Sequence, residues 1–197
     1  MTDKELLEQA NNLQTEAKRV LEELELISFL KKYSNLKIVG SAANGLMALQ
    51  DVDIHCYTET PNLEDIVEII QKLIFIPTVQ MVHFNNYQEF RRDYNKISVN
   101  FPLGYYLGFR SIQPSGEWKI DMWFKKENDP KEYDSSKLDS LSNEQRVAIL
   151  RLKQQFKQGK GYKDGALSVD FYKAVLEKSI RSEEEFSEYL SKKASTS

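Results

Sequence analysis

A short apolar strand ends in Gly40-Ser41, nine residues follow, and then Asp51-Val52-Asp53-Ile54-His55-Cys56-Tyr57 alternates polar with apolar. Side chains alternate across a strand, so Asp51, Asp53 and His55 share one face while Val52, Ile54 and Cys56 share the other. One face is therefore core, and the other carries two carboxylates about 7 Å apart along the strand. Such a pair repels itself unless a cation lies between its members. The segment demands a sheet with an apolar underside and an acidic face at its mouth.

The rest of the chain supplies that sheet and its cover. Strand-like runs recur at 36–39, 52–57, 79–84, 97–99, 105–111 and 118–124. Gln113-Pro114-Ser115-Gly116 reads as a turn, which makes 105–124 a hairpin. Asn62 can cap a helix over 62–74 whose apolar face is Ile66, Ile69, Ile70 and Leu73. Upstream, Leu6, Ala10, Leu13, Ala17, Val20, Leu24 and Ile27 recur at steps of four and three, predicting one long helix over 3–33. Its seam either packs along the domain or pairs with a second copy of the chain as a homodimer. A polar stretch at 127–141 reads as a linker. Ser142 with Gln145 forms a capping-box pattern that opens a helix to about residue 158, and further helices begin near Ser168 and Ser182. The expected class is α/β: a long N-terminal helix (1–35), a mixed β-sheet core (36–126) and a C-terminal helical bundle (142–193).

Composition narrows the function. Over 197 residues the net charge is −3 and the pI near 5.6, which argues against a general nucleic-acid binder. The single Cys56 excludes a disulfide framework and a cysteine-rich zinc site, and packing is its expected role. No apolar run reaches the roughly 18–20 residues of a membrane span, and the polar N-terminus is not a signal peptide. No membrane partner and a cytoplasmic location are the resulting expectations.

Hard carboxylate oxygens in the Asp51/Asp53 arrangement suit Mg²⁺ or Mn²⁺, which bind few carboxylates together with substrate phosphates. Gly40-Ser41 complements them, because a tight glycine turn, a hydroxyl and free amides can cradle a phosphate. Metal beside phosphate fits phosphoryl or nucleotidyl transfer. The helix after Ser142 adds basic groups. At 100° per residue Arg146, Lys153 and Lys157 fall within about 40° of each other, bordering the apolar face, so the stripe is expected to overlook a triphosphate. Lys153 is the first choice, with Tyr162, Ser168 and Tyr172 as further nucleotide contacts. On the hairpin, Tyr106, Gly108 and Arg110 share one face and Tyr105, Leu107 and Phe109 the other; one is core, and the other could stack a base or an acceptor ring together with Trp118 or Trp123. Arg91 and Arg92 could clamp an acidic acceptor. His55 could touch metal or substrate, whereas His83 is read as structural.

The pattern apolar-Gly-Ser, nine residues, Asp-apolar-Asp-apolar resembles the signature of the polymerase-beta-like nucleotidyltransferase superfamily, in particular its small bacterial members. Gly40, Ser41, Asp51 and Asp53 match that motif residue by residue, and the likeness covers roughly 36–125. The resemblance implies a nucleotidyltransferase core and a third carboxylate on a neighbouring strand. Asp121, alone among hydrophobic residues in an alternating strand, is the candidate, with a role on a second metal that activates the acceptor hydroxyl. The implied reaction moves a nucleoside monophosphate from a nucleoside triphosphate to a small-molecule, protein or RNA-end hydroxyl. The alternative is an inactive nucleotide-binding or interaction module of the same fold.

Overall fold

The computed structural model describes residues 1–88, 102–127, 135–159 and 161–194. Five strands, β1 (Asn35–Val39), β2 (Asp51–Tyr57), β3 (Val79–Asn86), β4 (Gly104–Gln113) and β5 (Gly116–Lys125), form one sheet in the order β1-β2-β5-β4-β3. β2 runs parallel to β5, and the other neighbours are antiparallel, so the sheet is mixed as expected. Alternation sets its two faces. Val52, Ile54, Cys56, Leu107, Phe109, Trp118, Ile120, Met122 and Phe124 are all buried, which makes that face the core. Trp118 therefore belongs to the core, whereas Trp123 and Tyr106 lie on the face of the acids. The runs at 97–99 and Arg91 and Arg92 lie outside the described residues.

The helices are α1 (Asp3–Glu23), α2 (Leu26–Leu30), α3 (Gly40–Asn44), α4 (Leu63–Ile74), α5 (Asn143–Phe156), α6 (Ser168–Glu177) and α7 (Glu183–Ala194). Both predicted caps form. Asn62 accepts from the Asp65 amide at 2.9 Å, and Ser142 and Gln145 close a reciprocal capping box. The N-terminal helix departs from the expected single rod. It stops at Glu23, Glu25 takes a left-handed φ of 50°, and α2 restarts with Leu26 and Leu30 buried in place of Ile27. No glycine or proline marks this break, and apolar spacing continues through it. Five of the seven seam residues, Leu6, Ala10, Ala17, Val20 and Leu24, are buried within the single chain, and Leu13 and Ile27 are half-buried. No helix among the described residues is long and apolar enough to cross a membrane.

The chain forms two compact units. A sheet unit comprises Glu16–Val39 and Gln50–Tyr133, and a helical unit comprises Met1–Thr15, Gly40–Leu49 and Asp134–Ser197. The segment Gly40–Leu49, although it links β1 to β2, thus belongs to the helical unit. Phe156, Phe171 and Phe186 form that unit's aromatic centre, with centroids 4.5–6.1 Å apart. Asp170, nearly fully buried, accepts from the Leu167 amide and from Lys193 at 2.6 Å, which ties α7 to the start of α6.

Candidate active site

Strand register assembles the acids. Asp53 lies opposite Asp121 across the β2–β5 ladder, and Asp51 lies two residues away on the same face. One oxygen from each of Asp51, Asp53 and Asp121 lies within 4.8 Å of the others. Tyr106 donates its hydroxyl to Asp121 Oδ1 at 2.8 Å, and Lys119 Nζ donates to Asp121 Oδ2 at 2.5 Å. Lys119 also pairs with Asp51 Oδ1 at 3.5 Å, but that oxygen is sealed from solvent and receives no hydrogen bond.

These contacts perturb the titrating groups in a consistent way. Burial pushes the Asp51 carboxyl above its ordinary value; Lys119 works against that shift and the charge of Asp121 adds to it. Burial alone would lower Lys119, but Asp51, Asp121 and Asp53 overcome it and hold the ammonium above its usual range. The Tyr106 phenol is driven up by burial and by Asp121. An all-oxygen donor set and an orphaned buried carboxylate oxygen are what a hard divalent cation requires, so Mg²⁺ or Mn²⁺ fits these residues.

Gly108 makes the arrangement possible. It lies opposite Asp121 on β4, and a Cβ there would sit 2.5 Å from the Tyr106 hydroxyl and 3.0 Å from Asp121 Oδ1. Only glycine leaves room for their hydrogen bond. One pleat further along β5, Trp123 packs against Tyr106 and Tyr87 at 5.1 and 5.5 Å. His55 lies opposite Trp123 and its Nδ1 is 3.2 Å from the Tyr57 hydroxyl. His83 is exposed beside Asn85, and Cys56 is buried with its thiol pushed up to about 12 by burial.

A second group forms within the helical unit. Gly40 adopts φ 64°, a left-handed conformation natural to glycine, and delivers Ser41 at the start of α3. Lys153 is completely buried. Its Nζ donates among Ser41 Oγ at 2.7 Å, Leu46 O at 3.0 Å, Tyr172 OH at 3.1 Å and Ser168 Oγ at 3.3 Å. Ser41 Oγ lies 3.0 Å from Tyr172 OH and 3.2 Å from Ser168 Oγ, which closes the network. Among the described residues Lys153 pairs with no carboxylate. A buried ammonium neutralised only by dipoles favours an anion beside it. Arg146 instead donates to the Asn44 carbonyl at 2.9 Å, and Lys157 caps the end of α5 in an exposed position. The Tyr162 ring packs 4.8 Å from that of Phe171.

No protein family model and no curated protein matches this sequence. Among solved structures, a poly(A) polymerase complex of GLD-2 with GLD-3 superposes with a TM-score of 0.53 at 15% identity, covering 87% of this chain and 57% of that one. The chain shares the mixed α/β, nucleotidyltransferase-like fold of that neighbour. Within this nucleotidyltransferase fold the two residue groups come from complementary signals. Asp51, Asp53 and Asp121 are visible in the sequence as acids in alternating strands. Lys119 and Tyr106 share the face of Asp121 by the same alternation, yet a lysine or tyrosine on an outward face is ordinary, and only strand register shows what they touch.

Proposed function

We propose that the protein transfers a nucleoside monophosphate from a nucleoside triphosphate to a hydroxyl acceptor and releases pyrophosphate. The observation that supports this most is the convergence of Asp51, Asp53 and Asp121 within 4.8 Å on one face of a nucleotidyltransferase-type sheet. Mg²⁺ or Mn²⁺ held by these three carboxylates would supply charge neutralisation for the phosphates and activation of the acceptor oxygen. The chain's own residues do the positioning. Tyr106 fixes the Asp121 carboxylate, and Gly108 leaves space for that contact. Central strands, paired on both sides, keep Asp53 and Asp121 in register. Gly40, Ser41, Lys153 and Tyr172 are assigned to the triphosphate, with Lys153 contributing the positive charge and Ser41 a hydroxyl and amide. Tyr162 is assigned to the nucleotide's margin. The acceptor is a small molecule, a protein side chain or an RNA end.

Purified protein incubated with Mg²⁺ and each α-labelled triphosphate, with and without cell extract, tests this reading. Label transfer that disappears in Asp53→Ala is the expected result. Triphosphate binding with no transfer under any condition overturns it in favour of a non-catalytic module.

A further inference from the structure

Lys119 lies inside the acid cluster. It stands two residues before Asp121 on β5, opposite Asp51 across the ladder with β2 and opposite Arg110 across the ladder with β4. Its Nζ bridges carboxylates from two different strands, at 2.5 Å from Asp121 Oδ2 and 3.5 Å from Asp51 Oδ1. The other Asp121 oxygen is taken by Tyr106. Arg110, its register partner on β4, pairs with Glu117 at 2.6 Å and acts on Asp51 only as a weaker charge than Lys119. Lys119 is thus the ammonium that touches both Asp51 and Asp121. A carboxylate oxygen that already accepts a charge-assisted bond is poorly available to a second cation, and a divalent ion placed on that edge would meet the ammonium at close range.

Resting on the assignment of the three acids as metal ligands, we propose that Lys119 is a resident cation of this site. It holds Asp121 in position and keeps a divalent ion off the Asp51–Asp121 edge. With Lys119 in place the cluster takes one ion through Asp51 and Asp53, and an ion reaches Asp121 only after the lysine moves away. Lys119 is therefore a positioning residue that acts through Asp121 and sets how many ions the site holds.

Titration of the full chain with Mn²⁺, read by electron paramagnetic resonance with and without a non-hydrolysable triphosphate, tests this directly. The wild-type chain alone is expected to take one ion. Lys119→Met, which keeps the stem and removes the charge, should take two, the first about tenfold tighter, the scale on which groups contacting metal ligands act. Lys119→Arg should restore one ion. Melting curves in chelator and in Mn²⁺ add a readout that survives a weakened fold: Mn²⁺ should raise the melting temperature of Lys119→Met more than that of wild type, whereas a merely structural lysine would lower both curves alike. Unchanged ion number and affinity in Lys119→Met, or two ions bound to the wild-type chain alone, overturns the role of Lys119. Equal Mn²⁺ binding by wild type and Asp53→Ala, or none by either, overturns the metal assignment and this inference with it.

Discussion

On the sheet, three carboxylates offer oxygens within 4.8 Å of one another, with Lys119 against Asp51 and Asp121 and the Tyr106 hydroxyl on Asp121. Among the helices, one fully buried lysine is surrounded by three hydroxyls and a carbonyl, with no carboxylate paired to it among the described residues. The first group has negative charge in excess, and the second has positive charge in excess. Neither arrangement is the cheapest way to fill its position, since apolar packing would serve a fold at least as well. Each sign attracts its opposite, a cation for the carboxylates and an anion for the lysine. The contrast also extends to rigidity. Asp53 and Asp121 sit on strands paired on both sides, so backbone register fixes them, whereas the lysine group depends on a long flexible side chain and on rotatable hydroxyls.

The largest effect should come from the acids. Asp53→Ala is expected to lower transfer by about 10³-fold, the scale of losing a group that stabilises charge in the reacting complex. Lys153→Met should behave differently. A volume-matched apolar chain removes the buried charge but leaves the Leu46 carbonyl without its donor, so stability falls by about 1–3 kcal/mol while KM for the triphosphate rises roughly 10–100-fold, the worth of a hydrogen bond to a charged group. Strong destabilisation with an unchanged KM would turn Lys153 into a purely structural residue and break the comparison.

Gly108→Ala comes next. The added methyl meets the Tyr106 hydroxyl at 2.5 Å, so a loss of roughly 1–3 kcal/mol of stability is expected, with a parallel fall in transfer. Combining it with Tyr106→Phe should return part of the stability, as measured by denaturant unfolding. The smallest effect is a pH dependence of the metal-free protein. Burial holds the Asp51 pKa above its unfolded value, so its contribution to stability is present at low pH and is lost as pH rises through the folded pKa. Asp51→Asn should therefore raise the melting temperature at neutral pH, and the gain should shrink as pH falls through the carboxylate range.

Much of this was legible locally. The caps at Asn62 and Ser142, the hairpin turned at Pro114-Ser115 and the alternation that puts Asp51 and Asp53 on one face each depend on a few consecutive residues. The break at Glu25 was not, because the sequence carries no helix-breaking residue there and the apolar spacing continues on either side. Helical spacing placed Lys153 at the border of an apolar face, and the structure sinks it completely.

The sequence alone determined which residues carry charge and which face of each strand they occupy, because side-chain alternation is a property of the backbone at one position and its neighbours. Only the tertiary structure decided that Asp53 meets Asp121, that Lys119 bridges Asp51 to Asp121, and that Ser41, Ser168 and Tyr172 gather on Lys153. Those contacts join residues far apart in the chain, and their distances follow from strand register and helix packing, which no local pattern encodes.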